Sequence, residues 1–205
     1  MIAERQAQAG QHAAAAKTFA QALQTAQAIA DEWWRSKALA VIAERQAQAG
    51  LYPEALQTAQ AIAVEWRRSG VLTVIAERQA QAGMLDCAIE TAKEIPNARK
   101  QNETRWAIAI IAVEIGKPAF AQQLASRMSI GREEKLLKLV DLLAERGEKA
   151  TFLALLPRCG WSRVMAVIAC LSLPRLYPQR NLAVLNVLVN ELNIGGTEHS
   201  DGEVI

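Results

Sequence analysis

Ile42-Ala43-Glu44-Arg45-Gln46-Ala47-Gln48-Ala49-Gly50 is repeated without change at Ile2 to Gly10 and at Ile75 to Gly83. Three identical nonamers in a chain of 205 residues are the trace of duplication, and a repeated unit is the first constraint on any fold. A second block, Leu-Gln-Thr-Ala-Gln-Ala-Ile-Ala, stands at Leu23 to Ala30 and again at Leu56 to Ala63. The duplicated unit therefore has two different parts, and both carry apolar residues at the spacing of a helix rather than of a strand. Composition agrees: 51% of the residues are hydrophobic but only 5% are aromatic. Much of the apolar share is alanine, which suits helices that approach one another closely and disfavours a β-rich core.

Working outward, the closing glycine recurs as Gly50, Gly83, Gly116 and Gly147, at steps of 33, 33 and 31 residues, even where the rest has diverged. A residue that ends one helix and reverses into the next often needs positive φ, which glycine adopts at little cost. Pro53 and Pro118 follow their glycines closely and fit the first turn of the next helix. Ser36, Ser69 and Asn102 stand 14 residues before a glycine, and their types predict N-caps there. The reading that follows is a helix A over about 37–49, 70–82 and 103–115, and a helix B over about 53–66, 86–95 and 118–128. On helix B the stripe Ala55, Leu56, Ala59, Ile62 becomes Ala88, Ile89, Ala92, Ile95 one unit later, which is the buried face.

The first unit has 40 residues between Gly10 and Gly50. Its seven additional residues are assigned to the alanine-rich stretch around His12 to Lys17; seven residues turn a helix face by only about 20°. Beyond Gly147 the pattern weakens, with helices expected near 149–156, 162–173 and 178–192 and a flexible acidic tail after Asn193. The chain thus divides into helical repeats over 1–130, divergent helical repeats over 131–192, and a tail over 193–205.

Gly50-Leu51-Tyr52-Pro53-Glu54-Ala55-Leu56 resembles the Gly-x-Tyr-x-Glu-Ala-x centre of a tetratricopeptide repeat, with Ala43 where that family's helix A prefers a small residue. The unit departs from the family in its 33-residue length, in Leu39 and Leu72 where a large aromatic is usual, and in Glu65-Trp66-Arg67-Arg68-Ser69 in place of the closing proline. The resemblance covers residues 1–130 closely and 131–192 loosely. It implies an all-α, right-handed solenoid of antiparallel helix pairs whose A helices line a concave groove for a protein or peptide. In that register the groove positions are Glu44, Gln48, Glu77, Gln81, Glu114, Asp141 and Glu145, with Glu4 and Gln8 in the first unit. Such an acidic and amide-rich ladder would select a basic or hydrogen-bond-rich extended segment. Recent duplication would also copy plain solvated surface residues, so repetition alone does not separate these two readings. Trp33, Trp34 and Trp66, placed near the end of helix B, are either packing across the junction between units or aromatic anchors for a partner.

The rest of the sequence narrows the function classes. The formal charge is +2 with two histidines, His12 and His199, which leaves poor material for a zinc site or a Ser-His-Asp arrangement. No glycine-rich phosphate loop follows a strand pattern, and neither a catalytic residue, a metal nor a cofactor is assigned. Cys87, Cys159 and Cys170 lack the spacing of a metal site or a disulfide framework, which reads as reduced thiols in a cytoplasmic protein. The start lacks a signal-peptide pattern, and the longest apolar run, Val164 to Leu173, is about half of the ~20 residues that span a bilayer. The expected function is a non-enzymatic scaffold or adaptor, or the sensor part of a larger signalling protein. Its first repeat opens inside helix A, an end that would suit self-association. The alternative is RNA binding through the basic stretch 146–180 with Trp161 and Tyr177, against which the small net charge argues.

Overall fold

The computed structural model describes residues 2–128 and 133–148, with 150, 151 and 155 beyond them. Among these residues the regular structure is helical: α1 (Ile2–Gln8), α2 (His12–Gln27), α3 (Glu32–Gln48), α4 (Tyr52–Gln60), α5 (Glu65–Gln81), α6 (Leu85–Lys93), α7 (Ala98–Glu114), α8 (Pro118–Ser126) and α9 (Glu133–Glu145). The helices expected beyond residue 156, the tail, most of the basic stretch, Cys159 and Cys170 lie outside the described residues.

The glycine punctuation is realised at every step. Gly10, Gly50, Gly83, Gly116 and Gly147 have φ between 71° and 82°. A Cβ built at any of them would meet nothing within 4 Å, so the requirement is the left-handed backbone and not a lack of space. Around Gly50 the Gly50 N–H donates to the Ala47 carbonyl at 3.1 Å and the Leu51 N–H to the Gln46 carbonyl at 2.9 Å. That pair of bonds is a Schellman motif, which satisfies carbonyls the helix end would otherwise leave open. The long-range bond of the pair recurs from Gln11 to Gln6, Met84 to Gln79, Lys117 to Ala112 and Glu148 to Leu143.

The helix starts differ from expectation. α3, α5 and α7 begin five residues earlier, with Asp31, Val64 and Asn97 at the N-cap positions. Asp31 accepts from the Trp34 N–H and Asn97 from the Lys100 N–H, both at 2.9 Å; the Val64 side chain has no acceptor to offer. Ser36, Ser69 and Asn102 lie inside these helices instead, and both serines are buried. Ser36 still serves a helix start, but of the next odd helix: its Oγ accepts from the N–H of Val64, the N-cap of α5, at 3.5 Å. The even helices α4, α6 and α8 each end earlier than expected, at Gln60, Lys93 and Ser126.

Each helix of the first seven packs on the next, and the odd helices also pack on one another, extensively for α3 on α5 and α5 on α7 and only slightly for α1 on α3. No comparably extensive contact joins α2 to α4 or α4 to α6. The close approach is made by alanines: Ala43, Ala47, Ala55, Ala59, Ala76, Ala80, Ala88 and Ala92 are all at most 1% exposed. Leu39, Ile62, Ile75 and Ile108 fill the spaces between them, each contributing about 1.5–3 kcal/mol by leaving water. The stripe read on helix B is buried at Ala55, Ala59, Ile62, Ala88, Ala92 and Ile95, with Leu56 and Ile89 half-buried.

The additional seven residues of the first pair are placed elsewhere than expected. α2 has 16 residues and α4 has 9, but the register from Gly10 to Thr18 equals that from Gly50 to Thr58. The two extra turns therefore sit at the C-terminal half of α2, after Thr18, and not around His12 to Lys17. The described residues separate into two compact units, one reaching to Lys117 and one starting at Pro118. The second contains α8, which buries Ala121 and Ala125, and α9, which buries Leu139, Val140, Leu143 and Ala144.

Candidate functional site

The repeated Glu-Arg-Gln-Ala-Gln of α3 and α5 is split by the helix between core and surface. Ala47 and Gln46 face inward, with Gln46 2% exposed, while Gln48 is exposed and Glu44 half-buried. The same division holds one unit later, with Gln79 buried, Gln81 exposed and Glu77 half-buried. Glu44, Gln48, Glu77 and Gln81 therefore lie along the odd helices where a partner can reach them. Glu114 is exposed at the end of α7; Asp141 and Glu145 lie on α9 of the second unit, half-buried and exposed.

Arginines set the chemistry of this surface. Arg45 Nη1 donates to Glu4 Oε2 on α1 at 3.2 Å and to Gln48 Oε1 on its own helix at 2.9 Å. Arg78 Nη1 donates to Gln81 Oε1 at 3.2 Å. Both glutamines thus have their carbonyl oxygens engaged, which leaves their amide N–H groups to donate outward. Glu44, with no partner among the described residues, presents acceptors. A surface alternating amide donors with carboxylate acceptors is suited to the backbone and basic side chains of an extended segment.

The inward glutamines form a feature that sequence reasoning missed. Thr58 Oγ1 on α4 bonds Gln46 Oε1 and Thr91 Oγ1 on α6 bonds Gln79 Oε1, each at 2.7 Å and each buried. In the first pair Thr18 bonds Gln6 at 2.9 Å, whereas Thr25, which aligns with Thr58 in the duplicated block, is exposed and bonds only the Gln21 carbonyl. A buried amide without a partner is costly, so this bond ties the two helices of each pair in one register. The signal was present as a glutamine and a threonine at a constant separation of 12 residues.

Trp33, Trp34 and Trp66 stand in the first turns of α3 and α5, not at the end of helix B. The even helices stop early, and the tryptophans belong to the starts of the following odd helices. They are 45%, 53% and 66% exposed. Trp33 meets Trp34 edge to face at 4.5 Å, and Lys37 Nζ lies over both rings. The Arg67 guanidinium is stacked between Trp33 at 4.5 Å and Trp66 at 4.3 Å. This cation–π column links two successive units at their rim and leaves broad aromatic surface open.

Other chemistry is sparse among the described residues. They contain no group of three or more His, Cys, Asp or Glu side chains placed to hold a metal ion, and no helix long and apolar enough to cross a membrane. Cys87 is exposed and unpaired. Comparisons with protein-family models, curated proteins and solved structures gave no match to this chain.

Proposed function

We propose that the chain is a non-enzymatic scaffold built as a tetratricopeptide-like, right-handed solenoid of antiparallel helix pairs. Its odd helices line a concave groove that holds an extended, basic protein segment. Glu44, Gln48, Glu77, Gln81 and Glu114 face that segment within the first unit, and Asp141 and Glu145 are the equivalent positions on α9. The working compartment in this reading is the cytoplasm, with no membrane and no cofactor, and a second copy of the chain would associate through the first repeat.

One observation carries this reading. The odd helices pack directly on one another while the even ones have no comparably extensive contact, and a stack with its shorter spacing on one side curves toward that side. The duplicated Glu44, Gln48, Glu77 and Gln81 lie on those same odd helices. A random-peptide selection tests it. The wild-type protein should enrich peptides rich in lysine and arginine, and a folded Glu44→Lys, Glu77→Lys variant should recover none of them. Recovery of the same peptides by both proteins would remove the groove assignment.

A further inference from the structure

At the rim, the three odd helices α3, α5 and α7 present equivalent positions one unit apart: Trp33, Trp66 and Arg99, then Trp34, Arg67 and Lys100. Between α3 and α5 the column is filled, because Arg67 reaches between Trp33 and Trp66. Its Nε is buried with no hydrogen-bond partner, so the two ring faces hold the guanidinium in place. Between α5 and α7 the equivalent residue, Lys100, does not reach back. It lies 3.9 Å from Glu103 Oε2, and Glu103 Oε1 accepts from Arg99 Nε at 3.2 Å. The space Lys100 leaves is a cavity of about 300 Å³ lined by Glu65, Trp66, Ser69, Asn97, Arg99, Lys100 and Glu103.

Two features of this cavity ask for a ligand. Ser69 is 3% exposed, lines the cavity, and its Oγ has no partner. At the equivalent place one unit earlier Ser36 Oγ accepts from the Val64 N–H at 3.5 Å. A buried hydroxyl without a partner is rare in a settled interior. The charges point to the ligand's sign: Arg99 and Lys100 are occupied by Glu103, whereas the Glu65 carboxylate has no partner among the described residues.

We propose that this cavity seats an arginine side chain of the bound protein segment. The guanidinium lies on Trp66 as Arg67 lies between Trp33 and Trp66, and donates to Glu65 and Ser69 Oγ. A flat five-donor fork matches a carboxylate and a hydroxyl beside an indole better than an ammonium does. The inference rests on the reading that the odd-helix side receives a protein segment, and it adds one required side chain to that segment.

The test uses the full chain and short acetylated, amidated peptides Ala-Ala-Xaa-Ala-Ala with arginine, lysine, citrulline or glutamate at the centre, followed by tryptophan fluorescence and indole N–H resonances. The arginine peptide should bind saturably with the Trp66 resonance shifting, and it should outbind the citrulline and glutamate peptides. Trp66→Leu should weaken binding roughly tenfold, as loss of one stacked cation predicts, and Glu65→Gln should weaken it too while the fold stays unchanged. No saturable response to the arginine peptide, or equal binding of the citrulline or glutamate peptide, would overturn the proposal. A peptide of this length does not span the groove, and Glu44→Lys, Glu77→Lys leaves the cavity intact. That variant should bind the arginine peptide like the wild type, so failure of the cavity and failure of the groove give different results.

Discussion

The junction between α3 and α5 and the junction between α5 and α7 share a frame and differ at the rim. Beneath both, a buried glutamine on an odd helix bonds a threonine on the following even helix at the same 2.7 Å. Above the first, Arg67 closes the space between two tryptophans; above the second, Lys100 turns to Glu103 and a cavity remains. Duplication has kept what sets helix register and has released what meets the outside. The lesson is that near-identical repeats need not present near-identical surfaces: where Arg67 fills the first position, its counterpart Lys100 turns to Glu103 and leaves the second open.

The largest effect should come from breaking the shared frame. Thr58→Val leaves the Gln46 amide buried and unpaired, costing about 1–3 kcal/mol, and Thr91→Val should cost the same for Gln79. Thermal or urea unfolding checks it, with a shift of roughly 2–4 °C per kcal/mol for a chain of this size. Unequal losses at the two junctions would show that the frame is not common to both. Gly50→Ala and Gly83→Ala come next, each forcing a side chain into the left-handed region at about 1–2 kcal/mol.

Smaller effects separate the rims. Arg67→Ala removes a stacked cation and should cost about 0.5–1 kcal/mol, with a change in the emission of Trp33 and Trp66. Lys100→Ala breaks only a half-exposed ion pair and should fall within the scatter of surface substitutions. The smallest change in stability should come from Lys100→Arg with Glu103→Gln. This pair frees a guanidinium to reach Trp66 and close the second column, and it should abolish binding of the arginine peptide without unfolding the protein.

How much of this was legible in the sequence follows from which properties are local. The left-handed glycines were, because positive φ belongs to a single residue and its spacing is visible. The helix starts were not, because a serine that caps its own helix and a serine buried inside one look alike; Ser36 and Ser69 are buried within α3 and α5. Placing the starts five residues late also put Trp33, Trp34 and Trp66 on the wrong helices. The extra turns of α2 were misplaced because Thr25 carries the matching neighbours while Thr18 has the matching distance to Gln6. The core Gln46–Thr58 bond was legible in principle as a repeated separation. The rim cavity was not, since it arises from the direction one lysine side chain takes.

In the proposed function the odd helices, not the even ones, receive the partner. Backbone chemical-shift mapping with a selected basic peptide tests this most directly. Perturbations should concentrate at Glu44, Gln48, Glu77, Gln81 and Glu114, with α4 and α6 unchanged. Perturbations centred on the exposed residues of α4 and α6, such as Gln57, Gln60, Glu90 and Lys93, would contradict it.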